Sequence, residues 1–325
     1  MKIGLFTDGL RELPFEAMLD WCAAHGIETI ETGTGNFSDA PHCNLARLLE
    51  SAAAREEFLS AIARRGLRLV ALNCSGNLLD PDPLRRSSSQ KVFRDTVYLA
   101  EKLGLNTVVT MSGCPGEPGE PGRFPNWVTC AWQPEFQPLI EWQWKESVEP
   151  FWREAGKVAA DRGVLLAIEM HPGQAAHNTR TLLRLRAAGG AAVGANLDPS
   201  HLFWQGMDPL RVIGALGEAI FHVHAKDCRF DADEMALNGG LETRAAPPRA
   251  WEHCLPGEGH DENFWRDFTA ALSRIGYAGT LSLEYAGPPA ESRAGIHRAA
   301  TLLHRVIRTD RKGGEPIAAV PKSVE

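Results

Sequence analysis

Short apolar runs alternate with amphipathic stretches along most of the chain. The short runs are typical of buried strands, whereas apolar residues spaced three and four positions apart are typical of helices. The runs predict strands at residues 2–7, 27–31, 67–73, 107–111, 165–170, 193–197, 220–224 and 280–284. The stretches between and after them predict helices at residues 14–25, 46–65, 88–103, 148–162, 179–188, 209–216, 263–275 and 295–308.

Regular alternation of strands and helices predicts an α/β fold with a parallel sheet. Five predicted helices end in a glycine before the next strand, as left-handed helix ends do: Gly26, Gly66, Gly104, Gly163 and Gly276. Eight strand–helix units with right-handed crossovers predict a single-domain (β/α)8 TIM barrel over residues 1–308. A doubly wound open sheet is the alternative, but the Gly-x-Gly-x-x-Gly loop of dinucleotide folds is missing after the first strand. Residues 309–325 are predicted to form a loosely ordered tail.

Two connections are too long to be simple turns. Residues 112–145, after the fourth strand, are rich in proline and tryptophan, and residues 227–261 follow the seventh strand. In a barrel both would lie at the C-terminal face, where long loops serve as lids or contact surfaces. The tryptophans fit stacking on a sugar ring or aglycone. They equally fit packing of the insertion itself or an interface in a homo-oligomer or hetero-oligomer.

Composition and charge exclude several classes of partner. The net charge is -7, and no stripe of Lys and Arg follows the chain, so nucleic acid is not an expected partner. No apolar stretch reaches membrane-spanning length and the N-terminal residues do not resemble a signal peptide, which predicts no membrane association. The seven cysteines are scattered and form no Cys-x-x-Cys pair, which favours reduced thiols and a cytoplasmic location.

The last four predicted strands each end near a side chain that can bind a metal. These residues are Glu169, Asp198, His224 and Glu284. Any one of them alone fits an ordinary polar group at a strand end, but four in succession favour convergence at the mouth of a barrel. Three carboxylates and one imidazole form a mostly hard set, which predicts one divalent ion. Mn²⁺ suits this set best, with Mg²⁺, Co²⁺ and Zn²⁺ as alternatives.

Three further residues near these positions also receive predictions. His171 follows the fifth strand and is a candidate acid, although a position behind the ligands or in solvent fits equally. His222 shares a strand face with His224 and is predicted to lie one layer deeper in the barrel. Asp227 is predicted to brace its loop rather than to orient His224.

The most specific motifs are Glu169, Asp198-Pro199-Ser200-His201, His224-Ala225-Lys226-Asp227 and Glu284. With them the chain resembles the sugar phosphate isomerase/epimerase superfamily of xylose-isomerase-like TIM barrels. This superfamily includes ketose 3-epimerases, inosose dehydratases and the catalytic subunits of C-glycoside deglycosidases. The resemblance implies that the four predicted ligands hold one divalent ion and that Glu169 and Glu284 also donate and accept protons. It implies that His201 contacts substrate oxygens and places Arg229 near the position of a substrate-binding arginine.

The function that this resemblance implies is isomerisation or epimerisation of a sugar or keto-sugar through an enediolate. If the neighbouring carbon bears a leaving group, the same intermediate predicts a lyase, acting on a 3-oxo-glycoside (C-glycosides included) or an inosose. The proline-rich loop after the eighth strand offers few backbone N–H donors, which favours an unphosphorylated sugar or glycoside. An endonuclease IV-like enzyme would need three zinc ions and histidines after strands two to four, which are missing. A non-catalytic barrel is the third alternative.

Overall fold

Eight parallel strands close into a barrel in this computed structural model, which describes residues 1–119, 122, 124–128, 132–242, 246–285 and 287–310. The barrel strands are β1 Lys2–Phe6, β2 Thr29–Gly33, β3 Arg68–Asn73, β4 Thr107–Met111, β5 Leu165–Glu169, β6 Val193–Leu197, β7 Ile220–Ala225 and β10 Thr280–Leu283. Two further strands, β8 Asp227–Phe230 and β9 Trp251–Cys254, form a separate hairpin. The order of strands around the barrel is β1-β10-β7-β6-β5-β4-β3-β2. The predicted TIM barrel and its eight strands are therefore confirmed.

The barrel strands are buried along almost their whole length, and every residue of β2, β4, β6 and β10 is buried. Parallel strands covered by helices on the outside read as continuous apolar runs, which explains why the pattern located them well. The largest difference is in β2, which begins and ends two residues later than predicted, and β10 ends at Leu283, one residue before Glu284.

Helices surround the barrel. They are α1 Phe15–Ala24, α2 Leu45–Glu50, α3 Ala52–Ala63, α4 Pro83–Leu103, α5 Phe136–Trp142, α6 Glu149–Ala160, α7 Thr179–Gly189, α8 Ser200–Phe203, α9 Pro209–Leu216, α10 Ala232–Asn238, α11 Glu262–Arg274 and α12 Pro289–Asp310. Short 3₁₀ turns occupy Thr7–Leu10 and Gly217–Ala219, and a π-helix spans Gln143–Val148. The predicted tail lies outside the described residues apart from its first two positions, which end α12.

The predicted helix at residues 46–65 is two helices, α2 and α3. They meet at Ser51, whose backbone is extended at φ -114° and whose side chain accepts a hydrogen bond from the N–H of Ala54. A serine that caps the next helix competes with continuation of the first one. The helical spacing of apolar residues on both sides hid this break.

Both long connections lie at the C-terminal ends of the barrel strands. The connection after β4 carries α5 and the π-helix, which continues into α6. The connection after β7 contains an antiparallel hairpin, β8 Asp227–Phe230 with β9 Trp251–Cys254, and the helix α10. The sequence predicted a long loop here but not the hairpin. Among the insertion tryptophans Trp144 is buried, whereas Trp132 is 79% exposed.

Where the chain is described, no helix is both long and apolar enough to cross a membrane. The six described cysteines carry free thiols, as predicted, and burial raises the pKa of the Cys74 thiol to about 12. Such a thiol is protonated and unreactive at neutral pH.

Gly156 in α6 should not tolerate alanine, because the added Cβ would lie 1.9 Å from the carbonyl oxygen of Gly189 in α7. We expect Gly156→Ala to lower the free energy of unfolding by about 1–3 kcal/mol, the usual effect of overpacking. The matched control is Gly214→Ala in α9, where the added Cβ meets no atom within 4 Å. That change should stabilise the protein by roughly 0.5–1 kcal/mol, because alanine favours a helix over glycine. Urea unfolding of both variants measures the difference, and equal effects would contradict the tight α6–α7 contact.

Candidate active site at the barrel mouth

The ends of four strands bring the four predicted metal ligands together. Glu169 is the last residue of β5, Asp198 follows β6, His224 lies in β7, and Glu284 follows β10. One ligand atom from each lies within 4.8 Å of those of the other three. Glu169, Asp198 and His224 are buried, and Glu284 is partly exposed at the mouth of the barrel.

His224 joins two parts of the site through its two ring nitrogens. Its Nδ1 lies 3.1 Å from Glu169 Oε2 and 3.0 Å from Glu284 Oε2, so this nitrogen faces the ligand cluster. Its Nε2 lies 3.0 and 3.1 Å from the two carboxylate oxygens of Glu31. Burial by itself would lower the pKa of His224, but the charges of Glu31 and Glu284 outweigh it and raise the pKa well above its usual value.

Glu31 in β2 is a supporting residue that the sequence analysis did not identify. Its buried carboxylate accepts hydrogen bonds from Asn73 and Ser282, each 2.8 Å long, in addition to its contacts with the histidines. His222 Nε2 lies 2.8 Å from Glu31 Oε2, in the deeper layer that the strand period predicted. Burial would raise the pKa of Glu31, but His224 and His222 hold it well below its usual value. The available signal was an acid at the end of a buried strand, the same pattern that drew attention to Glu169.

Asp198 is held on both oxygens. Oδ1 accepts a hydrogen bond of 2.9 Å from the N–H of Ser200, and Oδ2 lies 2.9 Å from Lys226 Nζ and 3.1 Å from His201 Nε2. Burial opposes ionisation, but the charges of Lys226 and His201 lower the pKa of Asp198, so the carboxylate is ionised. Lys226 is the second residue that sequence reasoning missed, since it was quoted only as part of a motif.

His201 lies beside the cluster, and its contact with substrate oxygens stays a prediction. Its Nε2 is 3.1 Å from Glu169 Oε1, and the ring of His171 lies 4.0 Å away between centroids. Burial would lower the pKa of His201, but the charge of Asp198 raises it. Burial lowers the pKa of His171 to about 4, so His171 is neutral at pH 7. The carbonyl of Pro172 lies 2.5 Å from His171 Nδ1, so that nitrogen carries the proton and Nε2 can accept one.

The hairpin after β7 adds one further histidine beside His201 and His171. His253 in β9 lies edge-on to His201, with ring centroids 5.0 Å apart, and burial lowers its pKa to about 2. Nothing in the sequence around His253 had separated it from the surface histidines. Only the hairpin, which folds β9 back along β8, brings it to the mouth.

Arg229 lies apart from the cluster. It is in β8 with its side chain 57% exposed, and it forms an ion pair with Glu252 on the neighbouring strand at 2.9 Å. The structure therefore places Arg229 outside the group of proposed ligands, and its contact with substrate stays a prediction.

Asp227 braces the loops around the mouth, as expected. Its buried carboxylate accepts hydrogen bonds from the backbone of Gly257, Gly259 and His260 at 3.3, 3.3 and 2.9 Å. The ring nitrogen Nδ1 of His260 lies 2.7 Å from the other oxygen. These bonds tie the turn before α11 to the end of β7.

The chemistry of the cluster fits a divalent cation. Its ligand atoms are carboxylate oxygens and one imidazole nitrogen, the set that hard and borderline metals prefer. Asp198 Oδ2 and His224 Nδ1 are buried and take part in no well-formed hydrogen bond, although charged groups lie close to both. Glu31 on the far nitrogen of His224 is the arrangement that orients a metal-binding histidine.

A closed parallel barrel with acidic and imidazole side chains converging at its C-terminal mouth defines the class of TIM barrels with a site that could hold a metal ion. The family described as Xylose isomerase-like TIM barrel matches residues 19–303. The chain belongs to this family.

Two curated relatives differ in how much of the chain they match. The protein named Uncharacterized protein YfiH of Bacillus subtilis (strain 168) is 41% identical over 313 residues, which cover 94% of this chain and 99% of the relative. Inosose dehydratase of Geobacillus kaustophilus (strain HTA426) is 26% identical over 155 residues, 47% of this chain and 49% of that protein.

Solved structures share the fold at low identity. IolI with a bound zinc atom matches with a TM-score of 0.65 at 18% identity, over 95% of this chain and 97% of that one. AsbF of Bacillus anthracis, a probable 3-DHS dehydratase, matches with a TM-score of 0.64 at 18% identity, over 94% and 99% of the two chains. A D-tagatose 3-epimerase-like protein matches with a TM-score of 0.62 at 18% identity, over 94% and 100%.

Proposed function

We propose that this protein is a metal-dependent enzyme that isomerises or epimerises a sugar or keto-sugar through an enediolate. The observation that carries the proposal is the convergence of Glu169, Asp198, His224 and Glu284, whose ligand atoms lie within 4.8 Å of one another. These four residues would hold one divalent ion. Mn²⁺ is the first ion to test because the set is rich in oxygen, and Zn²⁺ is the second because the IolI structure contains zinc.

When bound, a divalent ion would supply Lewis-acid stabilisation of negative charge on substrate oxygens. The two glutamates would supply the proton transfer. Burial opposes ionisation of Glu169, but the hydrogen bonds and charges of His201, His224 and Lys226 hold its pKa well below the usual value. The carboxylate is therefore ionised, which is the form that can accept the proton from the carbon next to a carbonyl group. Glu284 would take up a proton from solvent and deliver it to the other face of that carbon, and Glu169 would release its proton to solvent, which would complete an epimerisation.

His201 and Asn196 would hold Glu169 in the orientation that proton transfer needs. His201 Nε2 lies 3.1 Å from Oε1, and the side-chain amide of Asn196 donates to Oε2 at 3.0 Å. With both oxygens fixed, the carboxylate loses little conformational freedom when it reacts. The rings of His171 and His253 would form the adjoining wall against which a substrate packs.

A lyase that acts on a 3-oxo-glycoside or dehydrates an inosose is the second candidate. The names of two relatives, inosose dehydratase and probable 3-DHS dehydratase, favour it. Elimination also needs an acid for the leaving group. His201 suits that role better than His171, because Asp198 raises the pKa of His201 whereas burial lowers that of His171 to about 4.

A nuclease with three metal ions is disfavoured by the ends of β2, β3 and β4. These strands end at Gly33, Asn73 and Met111, and no histidine follows any of them within two residues. Within the described part of the chain the other group with metal-binding residue types is Glu31, His222 and His224. Glu31 already accepts hydrogen bonds from Asn73 and Ser282, so we assign this group to support of His224.

The experiment that tests the proposal combines metal analysis with reactions in D₂O. Purified protein supplied with Mn²⁺, or in parallel Zn²⁺, is incubated with ketoses, inososes and 3-oxo-glycosides and followed by NMR. An isomerase or epimerase should place deuterium on the hydroxyl-bearing carbon next to the carbonyl group. A lyase should instead release the substituent on the carbon adjacent to that one. If neither occurs with any substrate class, the enediolate proposal is wrong. One ion per chain is expected, whereas three would favour the nuclease and none the non-catalytic barrel.

A further inference from the structure

Lys226 is a buried cation inside the candidate metal site. It follows β7 directly, its residue is 4% exposed, and among the described residues no other lysine or arginine is buried. Burying an ammonium group is costly unless anionic partners compensate it closely. The residues around Lys226 must therefore satisfy it.

Two of the proposed metal ligands satisfy Lys226. Its Nζ lies 2.9 Å from Asp198 Oδ2 and 2.7 Å from Glu284 Oε2. Glu284 Oε2 is also the oxygen that lies 3.0 Å from His224 Nδ1, the nitrogen that faces the cluster. The ammonium group thus contacts the carboxylates of two residues that a metal ion at this site would also use.

Lys226 offsets part of the negative charge of the proposed ligands. Glu169, Asp198 and Glu284 contribute three negative charges, and Lys226 offsets one of them. An ammonium group on these carboxylates repels a divalent cation that approaches the same residues.

We propose that Lys226 is a resident counter-ion that shares Asp198 and Glu284 with the metal and weakens its binding, so that the site takes a single, exchangeable divalent ion. The inference rests on the metal assignment made under the proposed function. Lys226 acts through the ligands, so it is a positioning residue whose main effect is on metal affinity.

The test measures the dissociation constant of Mn²⁺ by isothermal titration calorimetry in the full-length protein. Lys226→Met should bind Mn²⁺ at least about tenfold more tightly than the original protein, because it removes a like charge a few ångströms from the ion. Lys226→Arg keeps the charge and should not tighten binding. Lys157→Met, a change on the exposed face of α6, is the matched control and should leave the dissociation constant unchanged.

Thermal unfolding gives a second readout. Without metal, Lys226→Met should melt at a lower temperature, because Asp198 and Glu284 lose their neutralising partner. Added Mn²⁺ should then raise its melting temperature by more than it raises that of the original protein. If Lys226→Met does not fold, Lys226→Gln replaces it, since the amide can still donate a hydrogen bond to either carboxylate without the charge.

The outcomes separate this inference from the proposed function. Equal or weaker Mn²⁺ binding in the neutral variants would overturn it, since a lysine that only supports the carboxylates would strengthen metal binding. Absence of Mn²⁺ binding in every variant would overturn both the inference and the metal assignment. Tighter binding without enediolate chemistry on any substrate would support the inference while the proposed reaction fails.

Discussion

Asp198→Ala is expected to abolish tight binding of a divalent ion while the barrel stays folded. Asp198 supplies one of the three carboxylates of the cluster, and its Oδ2 is a buried atom without a well-formed hydrogen bond. Replacing a residue that only supports a ligand can weaken metal affinity by up to about 100-fold. Loss of one charged ligand from a set of four should therefore weaken the affinity for the ion by at least about 100-fold. Metal content of the purified protein after dialysis, measured by mass spectrometry, gives the answer directly.

Asp198→Asn is the matched variant, because its side-chain oxygen can still accept the hydrogen bond from the N–H of Ser200. It should lose the metal as Asp198→Ala does, with a smaller loss of stability. Circular dichroism and thermal unfolding of both variants check that the fold persists. Retention of one ion per chain in either variant would refute the assignment of Asp198 as a ligand.

Replacing either proposed proton carrier should stop turnover. We expect Glu169→Gln and Glu284→Gln each to lower kcat by at least about 100-fold, the usual contribution of a positioned general acid or base. Because both residues are also proposed ligands, kcat must be compared at saturating metal. Glu169→Asp and Glu284→Asp, which keep the charge, separate loss of the ion from loss of the proton carrier.

Deuterium exchange makes this prediction sharper. If the two glutamates serve opposite faces of one carbon, each Gln variant should still exchange the proton of one epimer with D₂O while conversion between the epimers stops. Exchange of both epimers in one Gln variant would indicate a single carboxylate that serves both faces. Undiminished conversion by a Gln variant with metal bound would remove that residue from the mechanism.

The strands and the four convergent residues were accessible from the sequence because their signals are local. A buried parallel strand reads as an apolar run, and an acid or histidine at its end stands out against that run. Once eight such strands are placed in a barrel, closure alone brings Glu169, Asp198, His224 and Glu284 to one mouth. Alternation along β7 also placed His222 below His224 without any knowledge of its partner.

Partnerships between distant strands could not be read in this way. Glu31 contacts His224 across 193 positions of the chain, and Lys226 contacts Glu284 across 58. Local residue spacing cannot predict either contact, because each contact depends on the register of the barrel strands and on the rotamers that the surrounding side chains allow. The hairpin after β7 also set positions that local spacing could not predict. It brought His253 to His201 and left Arg229 exposed.

The sequence by itself therefore determined the fold, the strand order along the chain and the residues available at the mouth, because hydrophobic periodicity and strand ends are properties of neighbouring positions. Only the tertiary structure decided which of those residues have their charge compensated, and which neighbouring groups compensate it. It placed Glu31 behind His224 and Lys226 between Asp198 and Glu284. Charge compensation in a buried site depends on distances of a few ångströms between side chains, and those distances exist only once the barrel has closed.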